Sequence, residues 1–578
     1  MAAYRATNRV RGIVRRATLC LAQAACLVAS TQAVAAVPTL TQVFPAGAQR
    51  GSTVVVTCQG DFAWPVALWA PGVSAIPGKE AGQVELTVPA DLPADRIWLR
   101  LYNSEGASAS MPLLIGGLRE VVEQEPNNSA RAAQVVQEMP VTVNGLLKEN
   151  GDVDAFAVSL QAWQTLVVAL DANTRLGAPM DAILQVVTPE GTVLAENHDE
   201  VGLDPRLAFT PRRAGTYVVR VFAFPATPDT NIQFRGGTNY VYRLTLTTGG
   251  FLEHTRPMTL AMRDQGQVEL FGRNLLTHPR QTVAAWDDRF LEGHREREAN
   301  TDGRLAADTQ WGLVHAEGLA GAVRVRRVRE LQAIEPTSDP QAGPLLKLDS
   351  VLFDWLREPR GAKEYRVALK ANQPVVVLVE SPGLHLDLVP RVELLDSEGK
   401  VVVESAASEN PQDALVRFTA PADGVYRIRV RDRFRKASDR HGFQLTVRAE
   451  HSDFALALPA ETLVVPHDKP VECVVGVTRR NGPEGAIGAI RVEAVGLPAG
   501  LQAEAVVSEP AGETADKVTL RITSDGRPFS GPIRIRGTLV PADAQAGSPP
   551  STLERRALTP PRLNASFDSI WVTALRKP

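Results

Sequence analysis

The chain has 578 residues, a formal net charge of −3 and a hydrophobic fraction of 44%, and it carries 41 prolines and 44 glycines. The lack of a basic excess disfavours nucleic-acid binding. Beyond residue 36, no stretch reaches the roughly 18 apolar residues of a spanning helix, so we expect no membrane span.

The first 36 residues have the pattern of an export signal. A basic start with five arginines is followed by an apolar run over 17–30 and by the small residues Ala33–Ala35, and such signals are cleaved after small residues. We expect cleavage near Ala35 or Ala36 and an exported product that is periplasmic, displayed on the cell surface or secreted. A twin-arginine signal at Arg15–Arg16 and lipidation at Cys26 are the alternatives. Cleavage removes five basic residues and no acid, leaving 57 basic and 65 acidic residues, a charge of −8. This acidity suits cation binding, but it is also typical of an ordinary solvated surface.

Two cysteines, Cys58 and Cys473, remain after the signal. Neither has a His or Cys at metal-binding spacing, so the sequence favours small buried hydrophobic residues over a metal site. A disulfide between them would join distant parts of the chain, and the sequence leaves that pairing open.

Short alternating segments predict strands along the whole chain, for example Thr53–Thr57, Tyr217–Val221 and Tyr240–Leu246, because alternation places successive side chains on opposite faces. Turn-forming clusters such as Pro189–Gly191 separate them. Ala130–Val136 is the best candidate for a short helix. The predicted fold class is all-β, with serial β-sandwiches of immunoglobulin-like and jelly-roll-like type.

An internal repeat divides the chain. Phe209–Val221 matches Phe418–Val430 at six of thirteen positions without gaps, and Pro45 and Gly60 recur as Pro257 and Gly272 with the same spacing. We therefore predict a duplicated unit of about 210 residues. The predicted domains are a signal peptide at 1–36, a small sandwich at 37–117, a larger one at 118–248, a second small one at 249–330, a second larger one at 331–449, and a C-terminal β-rich domain at 450–578 with a Pro-rich loop at 541–562.

Several motifs of the larger unit resemble the bacterial pre-peptidase C-terminal (PPC) domain in order and spacing. They are Glu123–Ser129, Gly151–Phe156, Met180–Leu184, Pro189–Gly191, Asn197–Asp199 and Gly215–Tyr217. The second copy resembles the same family through Asp387, Ser397–Gly399 and Gly424–Tyr426. The resemblance implies a jelly-roll-like β-sandwich, found as an appendage of secreted proteases and also in stand-alone envelope proteins. Related collagen-binding domains hold calcium with a Glu-x-Glu-x-Asn run and a later Asp cluster.

The small domains resemble immunoglobulin-like TIG/IPT modules, through Phe44–Gly47 with Gly51 and Gly60 in the first and through Gly272–Leu275 in the second. The order of domains is similar to that of exported bacterial proteins that alternate such modules without a peptidase domain.

A calcium site is predicted at the start of the first PPC-like domain. Calcium prefers carboxylate and carbonyl oxygens, and in an extended segment the side chains at i, i+2 and i+4 share one face. Glu123, Glu125 and Asn127 can therefore point the same way, as can Asp152 and Asp154, and a cation would offset their repulsion. The alternative is that the Asn residues form a turn or helix cap and the Asp residues only decorate a hairpin.

The second copy lacks the acidic pattern. Ala362–Glu364 stands before Tyr365 where the first copy has Asp152–Asp154 before Phe156, and the upstream run is Ile334–Asp339. We expect no calcium there.

Catalytic motifs are absent from the sequence: it has no Gly-x-Ser-x-Gly elbow, no His-Glu-x-x-His and no phosphate loop. His198–Glu200 is the nearest approach to a catalytic cluster, and a solvated loop is the favoured interpretation. Arg324–Arg329 is interpreted as an exposed strand face or a domain junction. Trp64, Trp69 and Trp98 are interpreted as core residues, and a sugar-stacking surface is the less favoured alternative.

The sequence therefore predicts an exported, non-enzymatic, multi-domain protein that binds an extracellular or envelope polymer or protein, with one structural Ca²⁺. The alternatives are an accessory subunit of a secreted peptidase and, third, a hydrolase without a recognisable motif. Fold by itself does not decide among them.

Overall fold

Strands make up most of the part of the chain that the computed structural model describes, and the helices there are single turns: α1 (Asn173–Leu176) and a 3-10 turn at Pro382–Leu384. The described residues are 36–228, 230, 233–261, 266–275, 277, 279–283, 296–298, 310–328, 343–406, 413–482, 485–540, 553–563 and 565–577. The predicted export signal lies outside them apart from its last residue, and so does Ile334–Asp339. Among the described residues no helix is long and apolar enough to cross a membrane. The fold is all-β, a series of β-sandwiches, as the alternating sequence predicts.

The first module is a sandwich of two four-stranded sheets, with strand orders β1-β3-β6-β5 and β2-β8-β7-β4. Its core contains Val56, Val84, Leu86 and Leu99. The strands are β1 (Gln42–Phe44), β2 (Gly47–Gln49), β3 (Thr53–Gln59), β4 (Ala67–Trp69), β5 (Ser74–Pro77), β6 (Gln83–Thr87), β7 (Arg96–Tyr102) and β8 (Met111–Gly116).

The second module consists of two five-stranded sheets, ordered β10-β12-β17-β14-β15 and β16-β13-β18-β11-β9. Alternating apolar side chains of both sheets fill the space between them, among them Phe156, Val168 and Tyr242. Its strands are β9 (Glu120–Val122), β10 (Gln134–Val135), β11 (Val141–Leu146), β12 (Asp154–Leu160), β13 (Leu166–Asp171), β14 (Met180–Val187), β15 (Val193–Asn197), β16 (Arg206–Phe209), β17 (Gly215–Pro225) and β18 (Val241–Thr247). The helix expected at Ala130–Val136 is wrong: a turn leads into β10, because Gln134 and Val135 pair in parallel with Phe156 and Ala157.

The third module repeats part of the first. Its sheets have the orders β19-β21-β22 and β20-β25-β24. The strands are β19 (Phe251–Arg256), β20 (Thr259–Ala261), β21 (Gln267–Arg273), β22 (Arg280–Thr282), β23 (Glu296–Glu298), β24 (Gln310–Val314) and β25 (Val323–Val328). Gly60 and Gly272 occupy the same place in the two modules. A Cβ on Gly60 would lie 2.2 Å from the carbonyl oxygen of Thr39, and one on Gly272 would lie 1.9 Å from that of Phe251. The recurring glycines therefore allow two backbones to approach closely.

The fourth module has the topology of the second, with sheets ordered β26-β28-β33-β30-β31 and β27-β34-β29-β32. Its strands are β26 (Leu345–Leu346), β27 (Ser350–Trp355), β28 (Ala362–Leu369), β29 (Pro374–Glu380), β30 (Pro390–Leu395), β31 (Val401–Glu404), β32 (Ala414–Thr419), β33 (Gly424–Asp432) and β34 (Gly442–Ala449). Register fixes the equivalence of the two copies: Asp154 pairs with Val221 in the second module, and Lys363 pairs with Val430 in the fourth.

The fifth module follows a sheet path β36-β45-β42-β43-β35-β37-β41-β39, with β38 beside β40 and β42. Its strands are β35 (Asp453–Ala457), β36 (Thr462–Val465), β37 (Val471–Arg480), β38 (Ile490–Val495), β39 (Leu501–Ala503), β40 (Val506–Ser508), β41 (Lys517–Ser524), β42 (Phe529–Leu539), β43 (Glu554–Leu558), β44 (Ala565–Phe567) and β45 (Ile570–Ala574). The predicted loop 541–562 is wrong in part, because β43 lies within it and pairs with β42 and β35. Residues 541–552 of that loop lie outside the described residues.

Cys58 and Cys473 are free and lie in different cores, those of the first and fifth modules. Burial raises the pKa of Cys58 to about 12 and that of Cys473 to about 11. Both thiols therefore stay protonated, which agrees with their interpretation as small hydrophobic residues.

Buried carboxylates surrounded by arginines join the modules. Asp95 of the first module accepts from Arg175 of the second at 2.7 Å and from Arg324 of the third at 2.8 Å. Arg326 of the third module pairs with Glu380 of the fourth at 2.6 Å, and both side chains are almost fully buried. The arginine-rich segment predicted as a strand face or junction is thus a junction, apart from Arg329, which lies outside the described residues.

The fifth module contacts the first. Glu461 accepts from the Arg100 guanidinium at 2.7 Å, Trp69 lies edge-on to Trp571, and Trp98 lies edge-on to Phe567. Trp69 and Trp98 therefore pack at the contact between the first and fifth modules, while Trp64 packs on the core of the first module.

Candidate metal centre

The segment 123–127 crosses the start of β12. Its beginning is held by the Glu123 N–H, which donates to the carbonyl oxygen of Asn144 at 3.0 Å, and its end by the carbonyl oxygen of Asn127, which accepts from the Ala155 N–H at 3.0 Å. The hairpin 147–153 between β11 and β12 closes over the same place. Two segments that are distant in sequence therefore bring their acids to one end of the sandwich.

Three carboxylates meet there. One oxygen each of Glu125, Asp152 and Asp154 lies within 4.8 Å of the other two. Asp154 is 0% exposed and Asp152 2%, so water does little to screen their repulsion. The Lys148 N–H donates to Asp152 Oδ2 at 2.6 Å, whereas the buried Asp152 Oδ1 has no hydrogen-bond partner. A buried oxygen of this kind can accept a hydrogen bond or bind a cation.

Asn127 is fully buried beside the carboxylates. In one orientation of its amide, the oxygen faces Glu125 Oε2 and Asp154 Oδ1. In the other, the nitrogen donates to these two atoms, at 3.2 and 3.1 Å. The first orientation gathers oxygens from three side chains, which suits a hard cation. The second satisfies the amide without one.

Glu123 contacts this group through Tyr242. Its Oε1 accepts from the Leu146 N–H at 2.8 Å and its Oε2 from the Tyr242 hydroxyl at 3.0 Å. The same hydroxyl lies 2.5 Å from Asp154 Oδ2. Because a phenol carries one proton, it cannot donate to both carboxylates at once. Glu123 therefore orients Tyr242 and Asp154 and is not among the three grouped oxygens.

The electrostatics of the cluster favour protons or a cation. Burial, followed by the charge of Glu123, raises the pKa of Asp154 to about 9. Burial also raises the pKa of Glu123 and of Asp152, in each case with the neighbouring Glu125 adding to the rise. One ammonium lies nearby, since Lys148 Nζ is 3.3 Å from Glu125 Oε1, but it is half exposed. Such a site is at a higher free energy when all its acids are ionised than when a cation neutralises them.

The five residues predicted from the sequence lie together, with Glu125, Asn127, Asp152 and Asp154 in the cluster and Glu123 behind it. Sequence reasoning missed Tyr242 and Lys148. The signal for Tyr242 was Gly145, a glycine inside a strand, which often marks a close approach. The two residues are cross-strand partners, and a Cβ on Gly145 would lie 2.1 Å from Tyr242 Cζ.

The fourth module has a lysine where the second has Asp154. Lys363 Nζ lies 3.1 Å from Asp354 Oδ1, and the Tyr365 hydroxyl donates to Asp354 Oδ2 at 2.7 Å. By register, Asp354 stands at the position of Gly145 and Tyr365 at that of Phe156. An ammonium therefore occupies the place of the first copy's most buried carboxylate. The counterparts of Glu123 and Glu125 fall outside the described residues.

Two other pairs of chemistry-bearing side chains lie among the described residues. His198 and Asp199 form an exposed pair at 2.8 Å, as expected for a solvated loop. Ser438 Oγ lies 2.7 Å from His441 Nδ1, but it also accepts from the Arg440 N–H. That arrangement belongs to a tight turn before β34, and its histidine is buried.

The fold and the cluster define a class of protein: a chain of β-sandwich modules with a buried acidic cluster at the entrance of one of them. No protein-family model matches the chain, and no curated protein matches it. Among solved structures, it is similar to the pre-peptidase C-terminal domain of collagenase from Bacillus anthracis, with 14% identity over 19% of this chain and 100% of that one, at a TM-score of 0.15.

Two longer similarities have equally low scores. SGBP-B of the mixed-linkage glucan utilization locus of Bacteroides ovatus, solved in complex with a mixed-linkage heptasaccharide, has 9% identity over 72% of this chain and 76% of that one, at a TM-score of 0.14. The N-terminal four Ig domains of Dscam1 isoform 7.44 have 10% identity over 94% of this chain and 100% of that one, at a TM-score of 0.20. Similarities at this level carry no argument about function, so the site is interpreted from its own geometry.

Proposed function

We propose that the second module holds a structural Ca²⁺ bound by Glu125, Asn127, Asp152 and Asp154, with Glu123 and Tyr242 positioning Asp154. The observation that carries the proposal is the group of three carboxylate oxygens within 4.8 Å, two of them on almost fully buried residues. Oxygen donors of this type and number suit calcium, which completes its shell with carbonyls and water.

The second copy supports a need for positive charge at this position. Where Lys363 stands, the ammonium compensates Asp354, and where Asp154 stands, an ion would supply the charge. The cation would join the segment 123–127 to β12, fixing the entrance of the module. We infer a structural role, because the ion would hold together two segments of the same module.

The test uses the chain 37–578 and measures thermal unfolding in calcium and in chelator. Calcium at about 100 times its dissociation constant should stabilise the native state by about 2.7 kcal/mol, because it binds only the folded module. Asp152→Asn should abolish this shift, while Asp199→Asn, which removes an exposed carboxylate of the same module, should retain it. If calcium moves no transition, or if Asp152→Asn responds like the parent, the proposal fails.

We further propose that the whole chain is an exported, non-catalytic protein that binds an extracellular or envelope polymer or protein. Its support is the arrangement itself: β-sandwiches held by buried ion pairs, with turns presented at their ends. Sedimentation of the chain with insoluble cell-wall polysaccharide, peptidoglycan or collagen tests the binding role. An accessory role for a secreted peptidase predicts instead co-purification with a protease, and turnover of ester, glycan or peptide substrates would contradict both.

A further inference from the structure

The end of the fourth module that corresponds to the acidic cluster is strongly basic. Two exposed loops form it, the hairpin 356–361 between β27 and β28 and the segment 431–436 at the end of β33. They carry six basic residues, which together we call the basic tip: Arg357, Arg360, Arg431, Arg433, Arg435 and Lys436.

The two loops are held together by backbone contacts. The Arg360 N–H donates to the carbonyl oxygen of Arg435 at 3.1 Å, and Arg431 is paired with Ala362 in the sheet. Within the second loop, Asp432 Oδ1 accepts from the Phe434 and Lys436 N–H groups at 2.9 and 2.8 Å. The two loops that carry the basic tip therefore lie side by side at one end of the module.

The positive charge of the basic tip is not neutralised by neighbouring side chains. Among the described residues, none of the six basic side chains forms an ion pair. The two acids of these loops, Asp432 and Glu358, leave an excess of four positive charges, and Asp432 has both oxygens engaged by backbone N–H groups. Elsewhere on this module, by contrast, arginines such as Arg391 and Arg429 pair with glutamates.

Two of the arginines occupy a backbone conformation that favours glycine. Arg360 has φ of +63° and Arg435 has φ of +60°, and the position of Arg360 in the second module is taken by Gly151 with φ of +89°. A left-handed conformation costs an ordinary residue free energy that glycine avoids. The same turn could be made with glycine, so the arginine at its tip points to selection for its charge.

An exposed aromatic side chain lies between these basic residues in the sequence. Phe434 is 58% exposed, and the guanidinium of Arg433 lies 5.9 Å from its ring centroid. An exposed aromatic ring surrounded by arginine and lysine matches an interface that is apolar below and anionic above, as at the headgroup level of a bilayer. An acidic polymer would attract the same charges but would give the ring no apolar layer to enter.

We propose that the basic tip binds an anionic lipid surface, with the cations at the headgroups and Phe434 inserted between them. The fourth module would then hold the chain against a membrane while the second carries the acidic cluster at the equivalent end. This contact is peripheral and independent of the calcium proposal, because it uses other residues on another module.

The experiment is co-sedimentation of the chain 37–578 with vesicles of phosphatidylglycerol and phosphatidylcholine, compared with vesicles of phosphatidylcholine alone. We expect binding to the anionic vesicles that weakens between 0.1 and 0.5 M salt, since screening shortens electrostatic attraction. The triple variant Arg433→Glu, Arg435→Glu, Lys436→Glu should bind at least about tenfold more weakly, since each reversal removes one attraction and adds a repulsion. Phe434→Ala should bind several-fold more weakly.

Two controls separate binding from folding. Arg360→Gly restores the glycine of the equivalent turn, so it should raise the unfolding temperature or leave it unchanged while weakening vesicle binding. Arg521→Glu reverses an exposed charge on β41, far along the chain, and should bind like the parent. Equal binding to neutral and anionic vesicles overturns the proposal. Unchanged binding by the triple variant also overturns it. A third contrary result is that dextran sulfate releases the chain while Phe434→Ala has no effect, because this combination indicates a soluble polyanion as the partner.

Discussion

Asp154 is the residue on which the acidic cluster depends most. It is fully buried, shares the Tyr242 hydroxyl with Glu123, and faces Asn127. Without a cation its charge is unfavourable, and with one it is a ligand. The same carboxylate is therefore expected to lower stability in one condition and to raise it in the other.

The effect of Asp154→Asn on stability should change sign when calcium is added. In chelator above about pH 9, where the Asp154 carboxyl is ionised, the neutral amide relieves the repulsion, so the variant should be as stable as the parent or more stable, by about 1 kcal/mol. In calcium the parent gains the binding free energy and the variant does not, so the parent should be more stable by about 2 kcal/mol. Thermal unfolding of both proteins in both conditions measures the crossing, and parallel curves in the two conditions would contradict it.

Calcium binding should also release protons. Burial and neighbouring charges raise the pKa of Asp154, Glu123 and Asp152 above their ordinary values. A carboxyl with a raised folded pKa contributes stability below its unfolded pKa, about 4, and loses that contribution as pH rises through the folded pKa, about 9 for Asp154. In chelator the second module should therefore become less stable from pH 5 to pH 9, while the calcium-induced gain should grow.

Calorimetric titration with calcium at pH 7 in two buffers of different ionisation enthalpy measures the released protons. Asp152→Asn serves as the comparison. A gain in stability that is the same at pH 6 and pH 9 would show that the carboxyls are already ionised before the ion binds.

At the scale of single elements, local patterns in the sequence located the ligands but not their neighbours. Glu125 with Asn127, and Asp152 with Asp154, each lie two residues apart, and this spacing located both pairs in the sequence. The expected extended backbone is wrong there, because Glu125 lies in a bend and Asp152 follows the turn at Gly151. Tyr242 comes almost ninety residues later, and its contact with Asp154 depends on the pairing of β18 with β11, which no local pattern encodes. The same cause explains the wrong helix at Ala130–Val136, where strand pairing overrides local preference.

The glycines of the small modules give a prediction for the first sheet. Gly60→Ala should destabilise its module by at least about 2 kcal/mol, because the new Cβ would meet the carbonyl oxygen of Thr39 and the φ of +151° is unsuited to alanine. Gly117→Ala is the matched control, because a Cβ there meets nothing within 4 Å. Urea unfolding of the two variants measures the difference, and equal midpoints would contradict the close approach.

Substitution of Lys363 tests the role of the ammonium in the fourth module, where we expect no calcium. Lys363→Met should cost no more than about 1 kcal/mol, since the ammonium is partly exposed beside Asp354, and calcium should not restore the loss. The double variant Asp354→Asn, Lys363→Met should recover most of the stability, because it removes both charges. Hydrogen exchange in β27 and β28 reports the change locally, and a double variant no better than Lys363→Met would show that the two charges do not interact.

Across the five modules, buried ion pairs join the sandwiches together with apolar clusters such as the one that contains Val167 and Phe251. Glu253 of the third module is the clearest case after Asp95: Arg273 of the same module lies 2.9 Å away, Arg206 of the second 3.4 Å and Arg440 of the fourth 3.8 Å. The sequence placed strands, repeat and a run of arginines, but it contained no sign of which acid each arginine would meet. Those partners come from different modules and are set by how the sandwiches pack.

The contacts of Asp95 therefore predict which modules unfold together. Its carboxylate is buried between Arg175 and Arg324, and the two arginines hold its pKa well below the ordinary value despite burial. The contribution of a carboxylate with a lowered pKa is present above its unfolded pKa, about 4, and is lost at lower pH.

Asp95→Asn should therefore lower the first unfolding transition at pH 7 by about 3 kcal/mol or more, because two guanidinium groups lose their buried partner. Asp91→Asn, an exposed acid just before it, should change little, and the two variants should converge only as the pH falls from about 4 through the lowered folded pKa of Asp95. Hydrogen exchange should show β8 and β25 opening together in Asp95→Asn, and a loss confined to the first module would mean that the carboxylate stabilises its own fold and not the junction.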